Sequence, residues 1–137
     1  MVRNHTADTV RMRAVRGATT VERDDPALVY EATSELLSLL LAHNDIHTDD
    51  IVSAMFTATQ DLCCAFPARA ARELGWIDVP MLCAAEIDVP GAQPRCLRVL
   101  LHVERHAGQP KLIPVYLRDA ASLRPDLAHE PAAPCAV

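Results

Sequence analysis

Val79-Pro-Met-Leu-Cys-Ala-Ala-Glu-Ile87, the turn-rich Asp88-Val-Pro-Gly-Ala-Gln-Pro94 and Arg95-Cys-Leu-Arg-Val-Leu-Leu-His-Val103 read as strand, loop and strand. The last of these alternates: Leu97, Val99, Leu101 and Val103 fall on one side, Cys96, Arg98, Leu100 and His102 on the other. Arg98 therefore stands off the core face. Glu86 closes the first segment, so a hairpin would set Glu86 and Arg98 near each other on one surface. An ordinary surface ion pair is the plainer reading of the same two residues.

Upstream, Val10 to Val15 reads as a first strand running into Arg16-Gly-Ala-Thr-Thr-Val-Glu22, where Gly17 permits a bend. Asp24-Asp25-Pro26 carries the signature of a helix start, an acidic cap followed by proline in the first turn. Leu28, Ala32, Leu36, Leu39, Leu40 and His43 then keep helical spacing, and Asn44 supplies a stop. Ile51 to Ala58 has the β-branched and aromatic content of a second strand. Phe66-Pro67 opens a short helix that ends at Gly75, with Arg69 and Arg72 on one face. A solvated arginine stripe is the simpler account of that pair. Downstream, Ala107-Gly-Gln-Pro110 turns the chain, Leu112 to Leu117 makes a last strand, and Arg118 to Leu123 a helical turn or two.

The inventory is an α+β domain: about five strands in a mixed sheet, with two main helices on one face. Two helices cannot cover both sides. The uncovered face, carrying Cys96, Leu100 and Met81 or Cys83, calls for another subunit. Residues 1–11 read as a flexible extension, 12–127 as the domain, and 128–137, with two prolines and no periodicity, as a loose tail.

Composition narrows the function classes. The 137 residues are half hydrophobic and under a quarter charged, a globular balance with no apolar run long enough to span a membrane and no signal-peptide core; the cytoplasm is the expected compartment. A net charge of −5 argues against a nucleic-acid surface, although Arg11, Arg13 and Arg16 cluster near the start. The five cysteines, at 63, 64, 83, 96 and 135, have no zinc spacing, the six histidines form no ligand motif, and no glycine-rich phosphate loop occurs. No metal or other cofactor is expected. Lys111 is the single lysine among thirteen cationic side chains, which fits either a codon bias or a use of guanidinium forks for carboxylates.

Five pieces in one order resemble a known family. Arg16-Gly-Ala-Thr-Thr-Val-Glu22, Phe66-Pro-Ala-Arg-Ala-Ala-Arg-Glu-Leu74, Val79-Pro80 with Cys83 and Glu86, Cys96-x-Arg98-Val, and Val115-Tyr-Leu117 with Leu123-Arg-Pro-Asp-Leu127 resemble the AroH-type monofunctional chorismate mutases, small bacterial enzymes distinct from the all-helical mutases. The resemblance implies a homotrimeric pseudo-α/β barrel with three active sites at subunit junctions. It implies the Claisen rearrangement of chorismate to prephenate, on the route to phenylalanine and tyrosine, with no cofactor. Such chemistry needs a flexible dianion held in its reactive shape and a fixed positive charge at the breaking ether bond.

By match to the family's motif, Arg98 would donate to the ether oxygen, Glu86 would bind the ring hydroxyl with Cys83 nearby, and Arg16 would pair with a carboxylate beside Tyr116. Phe66, Ala68, Met81 and Leu82 would form an apolar wall. Arg69 and Arg72 would face the cleft mouth of a neighbouring subunit, and Leu123 and Arg124 would close the site. Three departures stand out: Arg69 occupies a position where lysine is frequent, Leu82 one where a threonine hydroxyl can contact substrate, and the Leu74-Gly75-Trp76 turn is one residue shorter than in some relatives.

Overall fold

A computed structural model describes residues 9–126. The expected extension up to Asp8, the last expected domain residue Leu127 and the expected tail 128–137 lie outside the described residues. Val10 and Arg11, which the expected first strand and the expected extension both included, are the first residues of a strand and pair with His106 and Arg105.

Among the described residues five strands form one mixed sheet in the order β3-β2-β4-β1-β5. They are β1 (Val10–Thr20), β2 (Ile51–Ala58), β3 (Met81–Ala85), β4 (Cys96–His106) and β5 (Val115–Tyr116). β4 is central and antiparallel to both β1 and β2, while β3 and β5 add in parallel at the edges. The expected hairpin is therefore corrected: β2 lies between β3 and β4. A seven-residue connection could have made a hairpin, but β3 instead zips alongside β2, Ala54 to Ala58 against Met81 to Ala85.

Helix α1 (Pro26–Asn44) starts where its sequence dictates, the Asp25 carboxylate accepting from the Ala27 N–H at 2.9 Å, and ends in a left-handed Asp45 at φ 50°. Its buried stripe is Val29, Ala32, Thr33, Leu36, Leu37, Leu40 and Asn44. That face is rotated from the expected one: Leu28 and Leu39 flank it half-buried and His43 is exposed. The rotation follows from two neighbours, since α1 packs on both the sheet and α2 (Pro67–Glu73), and a stripe serving both is wide. Gly17 does not bend the chain. β1 runs straight through it to Thr20, and a Cβ there would stand 2.8 Å from Leu40 Cδ1 and 3.0 Å from Leu36 Cδ1. The glycine lets the helix settle on the strand.

Both α-helices share one face of the sheet, over a core that joins Leu36, Leu37 and Leu40 to Phe56, Trp76, Val99 and Leu101. Burying each such side chain contributes about 1.5–3 kcal/mol. At one end the opposite face is covered by a 3-10 turn, Arg118–Ser122, which brings Ala120 and Leu123 onto Ala18, Cys96 and Tyr116. Among the described residues nothing covers the rest of that face. Its apolar residues differ from those expected: Met81 and Cys83 pack toward the helix-side core, and Cys96 is fully buried. Leu82 (67% exposed) and Met55 (44%) pair across β3 and β2, and Met55 pairs in turn with half-buried Leu100. The inward and outward sets of β3 are exchanged because pairing with β2 in this register puts Met81 beside Ala54 and Cys83 beside Phe56, both core residues.

Candidate active site

Arg98 sits mid-sheet on the open face because β4 alternates, and its cross-strand partners are Thr57 in β2 and Ala18 in β1. Glu86 reaches it from the far side of β2. One residue past β3, the Glu86 N–H donates to Ala58 O at 2.9 Å and its carbonyl accepts from Gln60 Nε2 at 3.1 Å, so the backbone is pinned. Thr57 Oγ1 then donates to Glu86 Oε2 at 2.6 Å, and Arg98 Nε stands 3.1 Å from the same oxygen. The pair meets over the top of β2, without the hairpin.

Both side chains are partly sheltered, Arg98 at 32% and Glu86 at 15% exposure. The Nε atom is buried and close to the carboxylate, yet it lacks the alignment of a hydrogen bond. Attraction at this depth is electrostatic, and removing either charge alone would strand the other. Glu86 is met at Nε, and the guanidinium carries two further amino groups able to donate to other oxygens. Beneath the pair, burial pushes the Cys96 thiol up to about 11, against the opposing pull of Arg98. Cys96 is a protonated packing group at neutral pH and no nucleophile.

The start of β4 is fixed from β2. Arg95 adopts a left-handed φ of 48°, its N–H donating to Asp61 Oδ2 at 2.9 Å, and the Cys96 N–H donates to Thr59 Oγ1 at 2.9 Å. These bonds set where Arg98 emerges two residues later.

Arg16 lies on the same face, opposite Leu100 in β1 and so diagonal to Arg98. A cavity of about 280 Å³ is lined by Arg16, Leu100, Tyr116, Pro114 and Arg124. Tyr116 is buried and pairs with Ala18, Leu123 packs against their cluster, and Arg124 Nη2 is held 3.1 Å from Asp126 Oδ2. A second cavity, about 620 Å³, lies at the α2 and β3 edge and is lined by Phe66, Arg69, Cys83, Ala84, Tyr30 and Cys64. Phe66 is 73% exposed. Arg69 stacks over the Tyr30 ring at 5.4 Å and pairs with Glu73 at 3.5 Å, while Arg72 projects to solvent from the same helix. Ala68 is buried in the core, Met81 packs against it, and Leu82 stands exposed on the open face.

One chain thus gathers Arg98, Glu86, Arg16, Tyr116, Leu123 and Arg124 on or beside the open face, and sets Phe66, Arg69 and Cys83 around a separate cavity. Thr57 escapes a reading of the sequence altogether. Its role depends on strand order, and its own signal is only a polar residue on the outward side of β2. Among the described residues no cluster of three or more His, Cys, Asp or Glu could hold a metal ion, and no helix is long and apolar enough to cross a membrane. The geometry supplies a fixed guanidinium steadied by a carboxylate, a second guanidinium on the same face and a phenol, a surface suited to a small dianion.

Comparison with known proteins finds similar sequences and a similar fold. Residues 12–127 match the family described as "Chorismate mutase type I". Chorismate mutase AroH of Thermus thermophilus is 46% identical over 117 residues, 85% of this chain and 96% of that protein. Chorismate mutase AroH of Bacillus subtilis (strain 168) is 42% identical over 118 residues, 85% of this chain and 93% of that protein. A solved structure of a chorismate mutase from Clostridium thermocellum superposes with a TM-score of 0.76 at 41% identity, covering 80% of this chain and 98% of that one.

Proposed function

The chain belongs to the type I, or AroH-type, chorismate mutases, a family of isomerases, and from that membership we propose that it converts chorismate to prephenate by the restraint and charge its open face offers. In this rearrangement the ether C–O bond breaks as a new C–C bond forms, within one molecule and without proton transfer. Catalysis then reduces to two demands: hold the dianion folded, and stabilise the charge that gathers on the ether oxygen.

Arg98 meets the second demand. Its guanidinium donates to the ether oxygen while Glu86 steadies its Nε edge and receives the ring hydroxyl. Arg16 takes a side-chain carboxylate, with Tyr116 beside it and Leu123 and Arg124 closing that end. The reaction needs no cofactor. The observation that carries this reading is the Arg98–Glu86 pair at 3.1 Å on a sheet face that also presents Arg16.

The assembly is proposed as a homotrimer in a pseudo-α/β barrel. Leu82, Met55 and Leu100 leave an apolar row that a second copy would cover, and the cavity of Phe66, Arg69 and Cys83, with Arg72, Met81 and Ala68 around it, would meet the Arg98 face of the adjacent chain. Residues 12–127 form the catalytic domain. The enzyme serves phenylalanine and tyrosine synthesis in the cytoplasm.

The test is direct. Purified protein mixed with chorismate should deplete its absorbance and accumulate prephenate. Arg98→Ala should cut kcat by about 10²–10³, the loss of a preorganised donor worth about 3–4 kcal/mol, with an unchanged circular dichroism spectrum. Parent protein that leaves chorismate intact, or an Arg98→Ala variant with full turnover, would overturn the assignment.

A further inference from the structure

Away from Arg98, the far end of the sheet concentrates positive charge in a chain whose net charge is −5. A cavity of about 430 Å³ there is lined by Arg11, Arg13, Arg105, His106, Lys111 and Leu112 among others. By strand parity Arg11, Arg13 and Arg105 share the helix-side face with Val15 and Val103, the side opposite Arg98. Arg11 and Arg105 are direct cross-strand partners. Like charges so placed destabilise a sheet unless something neutralises them. Among the described residues no carboxylate forms an ion pair with Arg11, Arg13, Arg105 or Lys111, and no acidic residue lines the cavity. Glu104, the nearest acid in β4, points to the other face by the same parity.

Arg105 is the second, independent observation. It is only 7% exposed, and two of its donors are spent on backbone carbonyls, Nη1 to Asn44 O at 2.7 Å and Nη2 to Pro110 O at 3.2 Å. Its Nε is buried with no hydrogen-bond partner. Asn44 O is an open carbonyl at the negative end of α1 and offsets part of the Arg105 charge, but neither carbonyl touches Arg11, Arg13 or Lys111. A helix end carries only part of a charge, so among the described residues the four cations together lack a full counter-charge, which an anion in the cavity would supply.

We infer that this cavity is a second anion-binding site, separate from the catalytic face, which takes a small molecule bearing two or more negatively charged oxygen groups. Its volume falls within the range of small-molecule pockets and exceeds what a lone ion needs. Leu112, Pro110 and Ala14 give it an apolar wall for the body of such a ligand. The site stands whether or not the chain rearranges chorismate.

The test is calorimetric titration of the full chain at low salt with two probes, inorganic pyrophosphate for a phosphoryl ligand and citrate for a carboxylate one. At least one should bind saturably, one per chain. The triple variant Arg11→Gln, Arg13→Gln, Lys111→Gln changes exposed side chains only and should weaken that binding at least tenfold, while Arg98→Gln leaves it unchanged. Whichever probe binds more tightly identifies the source of the charge. No saturable binding of either probe at millimolar concentration, equal binding by parent and triple variant, or loss in Arg98→Gln alone would each overturn the site.

Discussion

Thr57 is a small residue with an outsized position, since its hydroxyl is what turns the Glu86 carboxylate toward Arg98. Thr57→Val keeps the β-branched shape that suits β2 and deletes only the donor. If the carboxylate is part of the site, kcat/KM should fall roughly tenfold, equivalent to about 1.4 kcal/mol, with melting temperature little altered. An unchanged kcat/KM would make the 2.6 Å bond merely structural. Cys96, one step from Arg98 on the same face, permits a prediction about pH. Burial raises its thiol from 9.0 to about 11 in the folded chain. Below pH 9 folded and unfolded chains both keep the proton. Between pH 9 and about 11 only the unfolded chain releases it, so stability declines across that window by an amount on the order of 2–3 kcal/mol and then levels. Urea midpoints measured from pH 7 to 10.5 should therefore drop more steeply for the parent than for Cys96→Ala. Parallel curves would show that the thiol does not contribute.

Elements whose ends carry their own chemistry were legible in the sequence. Asp25-Pro26 and Phe66-Pro67 open α1 and α2 where expected, and the strict alternation of β4 assigns Leu97, Val99, Leu101 and Val103 to the core. Partner choice was not legible, because nothing local in Val79 to Ile87 distinguishes a strand that turns back on β4 from one that runs parallel to β2. The cost of that ambiguity is specific. It moves Met81 and Cys83 to the helix side and hides Thr57, while Glu86, one residue past β3 and in phase with exposed Leu82, still arrives at Arg98. The α1 stripe was misplaced for a related reason, its second neighbour α2 being a tertiary fact. Gly17 shows how helix and sheet constrain each other. Gly17→Val would drive a branched side chain into Leu36 and Leu40, and overpacking of this kind costs about 1–3 kcal/mol. Chemical denaturation should report that loss, with Gly17→Ala milder because the two nearest obstructing atoms are the ends of leucine side chains and the Val115 carbonyl lies farther off at 3.3 Å.

At the scale of the molecule, the open face joins an apolar row to the charges of the proposed site, so the two should fail together. Met55→Glu places a charge mid-row, 44% exposed in the single chain and desolvated once a second copy covers it. Sedimentation should show the parent at three chain masses and this variant shifted to one, with turnover of chorismate lost in proportion. A monomeric parent with full turnover would dissolve the shared-site proposal. The strand order carries a consequence of a different kind, for the ribosome rather than the finished enzyme. β1 is made first, yet both of its sheet neighbours, β4 and β5, are made last. Until Cys96 and the residues after it have emerged, an eleven-residue strand waits with both edges bare, and such edges recruit other chains. Translation that stalls upstream of Cys96 should therefore leave a fragment prone to aggregate, and long-range pairing of this sort should make refolding slow, in milliseconds to seconds rather than microseconds.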